Sequence, residues 1–184
     1  MKTLPVLKGK KIYLRELSLK DAKGNYPHWL NNPDVTKHNS HGEILYTQKM
    51  AEKYIAMVTA SQSHHVFAII ESTTDKHIGN ISLQALDLKA RNAEFAILIG
   101  EPSVYAKGVG EEAGRLLLDY GFSGLKLHRI YCGTSSDNIG MQKLAVKLGM
   151  KQEGIRRDGL TKNGRFADIV EYGILEDEYT QETL

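Results

Sequence analysis

Apolar residues change their period several times along this chain, and each change marks an element. Ile12-Tyr13-Leu14 reads as a short strand. Ser18 followed by Asp21 resembles a capping box with an acid in place of the usual Glu or Gln, and predicts a helix running toward Trp29. Asn31-Asn32-Pro33-Asp34 is turn chemistry, because Asn and Asp bond their own backbone and Pro fixes φ. The polar stretch 35–46 predicts a loop or a broken helix. Thr47 can cap a second helix, with Met50, Tyr54, Met57 and Val58 at helical spacing. The period then shortens. Residues 66–70 and 78–86, separated by Thr73-Thr74-Asp75-Lys76, predict a hairpin, and 92–99 is a third apolar strand interrupted by one acid, Glu94.

Further on, Val109, Ala113, Leu116, Leu117 and Tyr120 share one face of a helix that Gly124 should end. Residues 129–133 read as a strand. Asp137 or Asn138 can cap a helix carrying Met141, Leu144, Ala145 and Leu148 at i, i+3, i+4 and i+7, with Gly149 at its C′ position. Residues 151–157 and 166–175 form two last strands joined by a turn around Asn163-Gly164. The order β-α-α-β-β-β-α-β-α-β-β predicts an α/β (α+β) fold, with a mixed, largely antiparallel central sheet flanked by helices. No repeat, low-complexity tract or Pro/Ser-rich linker breaks it, and 184 residues suit a single domain over 1–184.

Composition narrows the function classes. With 41% hydrophobic and 25% charged residues the chain reads as soluble and globular. A formal charge of +2 and a pI near 8.5 are too mild for a nucleic-acid footprint, so no nucleic-acid partner is expected. The single cysteine, Cys132, excludes an internal disulfide and a cysteine-rich zinc site and suits a reducing compartment. No apolar run matches a signal peptide or a membrane span. A cytoplasmic protein without metal or membrane contact is the expectation.

The most informative stretch is Tyr105-Ala106-Lys107-Gly108-Val109-Gly110-Glu111-Glu112-Ala113. Glycines between a buried strand and a helix allow close backbone approach to an anion, and the first N–H groups of a helix are unpaired. A tight strand-to-helix turn would use the same residues. A Walker loop is excluded because the lysine precedes the glycines. A dinucleotide fingerprint would need a third glycine where Ala113 stands, and no acid closes a following strand at the proper distance.

The wider constellation resembles the GCN5-related N-acetyltransferases, in particular the branch of the ribosomal-protein-alanine and spermidine acetyltransferases. The resemblance runs from Glu94 through Gly173. It rests on the strand Ala93-Glu94-Phe95-Ala96-Ile97-Leu98-Ile99-Gly100, the loop Gly108-Val109-Gly110, Leu127-His128-Arg129-Ile130-Tyr131, Asn138, Lys147-Leu148-Gly149-Met150 and Glu153-Gly154. It implies acetyl-CoA as co-substrate, without a metal. The amides of Val109, Gly110, Glu111 and Glu112, with Lys107 nearby, would bind the pyrophosphate. Backbone at Ile97, Leu98 and Ile99 would pair with the pantetheine arm, and Asn138 would touch that arm from the opposite wall. Residues 1–60 would then supply acceptor-side helices and 61–184 the coenzyme-binding core. Two departures stand out. Tyr105 replaces the family's Gln or Arg three residues before the first glycine. Ala145 occupies the position of the tyrosine that protonates the departing thiolate, and Met141 that of a serine found in some relatives.

A primary amine must lose a proton before attacking a thioester. Glu94, inside an apolar strand and on the face opposite Phe95 and Ile97, is the candidate base, with a structural ion pair as the competing reading. His38 and His41 are alternatives. Trp29, Asn31, Asn32, His38, Asn39 and His41 together suit a hydroxylated ring. This places a nucleotide-linked amino sugar slightly ahead of a protein N-terminus or a polyamine as the amine acceptor. Arg156, Arg157 and Arg165 are available to a diphosphate, or simply form a charged turn. Cys132 is expected to be buried packing. A non-catalytic acyl-CoA-binding module stays open as a second class, and a homodimer as an assembly.

Overall fold

The computed structural model describes residues 4–39 and 41–179, and eight strands in it form one sheet. They are β1 (Leu7–Lys8), β2 (Ile12–Glu16), β3 (His65–Glu71), β4 (His77–Asp87), β5 (Asn92–Ile99), β6 (Arg129–Ser135), β7 (Lys151–Lys162) and β8 (Arg165–Leu175). Their spatial order is β1-β2-β3-β4-β5-β6-β8-β7. Every neighbouring pair is antiparallel except β5 and β6. The helices are α1 (Tyr26–Trp29), α2 (Pro33–Thr36), α3 (Gln48–Ala60), α4 (Val109–Asp119) and α5 (Ile139–Lys147). The mixed, largely antiparallel sheet is the one expected. None of the helices described is long and apolar enough to cross a membrane.

Departures from expectation have local causes. β1, with two residues, is too short to show a period. The helix foreseen from Ser18 toward Trp29 is broken. Asp21 does accept from Ser18 N (2.8 Å) and Ser18 Oγ (3.1 Å), but the turn it opens spans only Asp21–Lys23 before Gly24 adopts an extended conformation. In the polar stretch, Asn32 Oδ1 accepts from Asp34 N (3.0 Å) and caps the short α2; Ser40 lies outside the described residues. Thr47 caps α3 as foreseen, accepting from Met50 N at 3.3 Å. β7 and β8 run longer than predicted because Asn163 (φ 50) and Gly164 (φ 72) make a two-residue turn, which keeps the strands paired up to Lys162 and Arg165.

Two apolar layers sandwich the sheet. On one face α4 and α5 bury Phe95, Ile130, Cys132 and Ile174. On the other, α1 and α3 cover Val66, Ala68 and Ile70, with Leu98 at the margin. Strand alternation therefore assigns Glu94, Tyr131, Gly133 and Glu171 to this second face, beyond the part that α1 and α3 cover.

A buried polar knot fixes α1 to the sheet. Asp21 is 6% exposed and takes both Arg15 guanidinium nitrogens, at 2.7 and 2.9 Å. His77 Nδ1 lies 3.5 Å from the same carboxylate, and its ring packs edge-on against Trp29 with centroids 4.9 Å apart. The Trp29 indole in turn fills the space where a Gly100 side chain would be. Burial alone would raise the Asp21 pKa. The Arg15 bonds, the Ser18 amide and the neighbouring charges outweigh it and hold the carboxyl below its ordinary value. Its contribution is therefore complete above about pH 4 and is lost as pH falls through the depressed folded value. Asp21→Asn should lower unfolding stability by about 2 kcal/mol at pH 7, less than a fully enclosed pair because Arg15 is partly exposed. In urea titrations the gap between the two proteins should close below about pH 4.

Candidate active site

β5 and β6 share only three registers: Asn92 with Arg129, Ala93 with Ile130, and Glu94 with Tyr131. Beyond Glu94, β5 stays with β4 and β6 stays with β8, so a notch opens between them. Gly100 N donates to Ile78 O (2.9 Å), and Ile99 stands opposite Gly79. In an antiparallel pair bonded positions alternate, so Phe95, Ile97 and Ile99 direct their backbone groups into the notch. Leu98 does not. Its backbone belongs to the pair with Asn80 and its side chain packs against the apolar cluster on the α1–α3 face. The Tyr105 hydroxyl donates to the Ile99 carbonyl (3.0 Å), so the residue that departs from the family signature tethers the end of the open edge.

The N-terminus of α4 stands beside the notch. Gly108, at φ 81 and ψ 0, is its N-cap in a left-handed conformation that favours glycine. Glu112 N donates to Gly108 O at 3.0 Å and closes the first helical turn. Its amide is thus engaged within the helix, whereas those of Val109, Gly110 and Glu111 have no intrahelical partner. A Cβ on Gly110 would meet Leu144 Cδ2 at 3.7 Å and Ile97 Cδ1 at 3.9 Å, ordinary contacts, so packing does not require glycine there. A backbone bare of side chain fits a phosphate lying on it. Lys107 is exposed beside it. The Glu111 carboxylate bonds Lys147 (3.1 Å) and Arg115 (3.2 Å), which offsets its charge next to an anion site. Asn138 Oδ1 caps α5 through Met141 N (3.1 Å).

Glu94 occupies the apex of the notch, half-buried, at the last shared register. Glu171, which the sequence reading passed over, projects from β8 opposite Gly133 on the same face and bonds Arg156 at 3.1 Å. Cys132 points to the other face, where Sγ approaches Met150 Sδ at 3.6 Å. Burial, then the charges of Glu171 and Glu94, push its pKa up to about 12. Ala145 is fully buried, and Met141 packs against the same core, so neither can protonate a thiolate.

Residues 34–39 and 41–43 belong to a strap that runs from beside Tyr105 to the tip of the β7–β8 hairpin. Asp34 is close enough to Tyr105 to add to the rise in pKa that burial gives the phenol. Burial and then Lys37 lower the His38 pKa, with Asp137 opposing them; burial and Lys162 lower that of His41. Both shifts favour the neutral imidazole, although His41 is exposed. Lys162 Nζ donates to His41 O, and Asn163 N to Glu43 Oε1 at 2.9 Å, which latches the strap to the tip of the β7–β8 hairpin. The expected sugar platform takes another form. Trp29 is 4% exposed and its Nε1 donates to Glu101 (3.1 Å). Asn31 bonds Pro27 O, Tyr46 O and Tyr46 N; Asn32 caps α2; Asn39 Oδ1 accepts from His41 N. These residues shape the strap, and burial leaves Trp29 no open ring face for stacking. Arg129 pairs with Glu153 over the Tyr131 ring, a structural role.

Residues 11–151 match the model of the acetyltransferase (GNAT) domain, and the chain belongs to that family. It is 32% identical to the probable N-acetyltransferase YjcK of Bacillus subtilis over 96% of this chain and 100% of that one. It is 27% identical to the spermidine N(1)-acetyltransferase of Escherichia coli, over 93% and 89% of the two chains. In structure it resembles the spermidine N-acetyltransferase of Vibrio cholerae in complex with CoA and spermine, with a TM-score of 0.83 at 24% identity, covering 92% of this chain and 98% of that one. The protein is thus an N-acetyltransferase with acetyl-CoA as co-substrate.

Gly110→Val adds a branched side chain where phosphate would meet the amides. The variant should keep its urea midpoint, while calorimetry should show acetyl-CoA affinity reduced by about tenfold or more, on the order of 1.4 kcal/mol.

Proposed function

We propose that this acetyltransferase acts on a small cationic primary amine of the polyamine kind, which approaches over the open sheet face beside Glu94. The observation that carries this reading is the position of Glu94: a half-buried carboxylate at the last register before β5 and β6 part. A bound thioester supplies the electrophilic acyl carbon. The protein must hold that carbon near the apex and hand the amine a route for its proton. An alkylammonium is attracted by Glu94, whose carboxylate can then accept the proton directly or through one water. Glu171, across β6 on the same face, adds a second carboxylate, partly balanced by Arg156. His38 and His41, whose pKa values are lowered, are alternative acceptors within the strap. The similarity to spermidine acetyltransferases favours a polyamine. The buried Trp29 argues against the nucleotide-linked amino sugar.

Glu94→Gln should lower kcat by about 10²–10⁴-fold while acetyl-CoA affinity stays unchanged, because the side chain lies on the face away from α4. A variant that keeps near-normal turnover across pH would move the role to His38, His41 or solvent. Thiol release should be measured with polyamines, short peptides bearing free N-termini and nucleotide amino sugars. Polyamines should turn over fastest; exclusive turnover of either other set would reject the acceptor class.

A further inference from the structure

We propose that Lys11, in the turn between β1 and β2, is a ligand of the coenzyme's pyrophosphate, and that the Glu112 carboxylate positions it. The proposal rests on acetyl-CoA as donor and not on the acceptor.

Lys11 lies far in sequence from the glycine loop, yet its Nζ donates to the Lys107 carbonyl at 2.9 Å. A Cβ built on Gly108 would stand 3.4 Å from the same ammonium, which puts the charge at the mouth of the loop. The turn is fixed from the other side. Glu112 Oε1 accepts from Lys11 N (2.8 Å) and Ile12 N (3.3 Å). The turn closes on itself through Gly9 N and Ile12 O (2.9 Å), and a side chain on Gly9 would overlap the Glu112 carboxylate. Three hydrogen bonds therefore lock strand edge and helix start together: two from the turn to the carboxylate, one from the ammonium to the loop.

The partner of the Lys11 ammonium is a neutral carbonyl, so its charge is not cancelled there and two of its three N–H donors can still turn to an anion. Lys147, another cation near this end of α4, differs in bonding the Glu111 carboxylate. Glu112 leaves the Lys11 charge alone because it binds the main chain of the turn. A cation held beside three converging amides is what a diphosphate bridge requires.

The test is calorimetric titration of CoA and 3′-dephospho-CoA into the wild-type protein, Lys11→Met and Lys11→Arg. Lys11→Met should bind both ligands about tenfold more weakly, with a shallower dependence of affinity on salt, and Lys11→Arg should recover most of the loss. Glu112→Ala should reproduce the loss with Lys11 still present. Unchanged CoA affinity in Lys11→Met overturns the proposal. So does a penalty that disappears with 3′-dephospho-CoA, which would assign the lysine to the ribose phosphate. If the wild-type protein bound neither ligand, the donor assignment would fail together with the proposal.

Discussion

The molecule is organised around a broken pairing. Backbone donors and acceptors in a sheet must be satisfied by a neighbouring strand, by water or by a ligand. β5 and β6 satisfy each other for three registers and then separate, so one edge of a half-buried strand is left without a strand partner. That edge is the surface on which the proposed reaction is built. A parallel pair this short holds its position only because each strand is anchored on its far side, β5 by β4 and β6 by β8. The long β7–β8 hairpin and the β3–β4 hairpin thus carry the cost of keeping the notch open.

Much of this was readable in advance because its signals are local. A strand with one acid inside it, glycines at a strand-to-helix junction and an Asn cap on the next helix each sit within a few residues of what they act on. Glu94 stands at the last register shared by β5 and β6, and Gly108-Val109-Gly110 at the start of α4. What could not be read depends on register or on distant neighbours. That Leu98 bonds to β4 while Ile97 and Ile99 face the notch is a parity fixed by pairing, and sequence carries no mark of it. Glu171 looks like any acid in an alternating strand until β6 and β8 are paired. Trp29 reads as an exposed aromatic in a polar region, yet a glycine at the far end of β5 makes the hole that buries it.

The acceptor side shows how polar residues mislead when judged singly. Asn31, Asn32 and Asn39 sit where substrate contacts are expected, but each side chain completes the hydrogen bonding of an irregular backbone. A segment with little regular structure needs such internal partners, because it has no ladder to satisfy its amides. Glu112 is a similar case at the coenzyme end. Its amide belongs to the helix and its carboxylate to another part of the chain, so the residue connects two pieces of the site without facing the ligand through its amide.

The seclusion of Cys132 has a consequence for an enzyme that releases a free thiol at every turnover. Disulfide exchange needs an accessible thiolate. The lone sulfur is turned toward Met150, and its ionisation is suppressed by burial and by two nearby carboxylates. Mixed disulfides with spent or oxidised coenzyme, a natural hazard for a protein bathed in its own product, have no foothold on this chain.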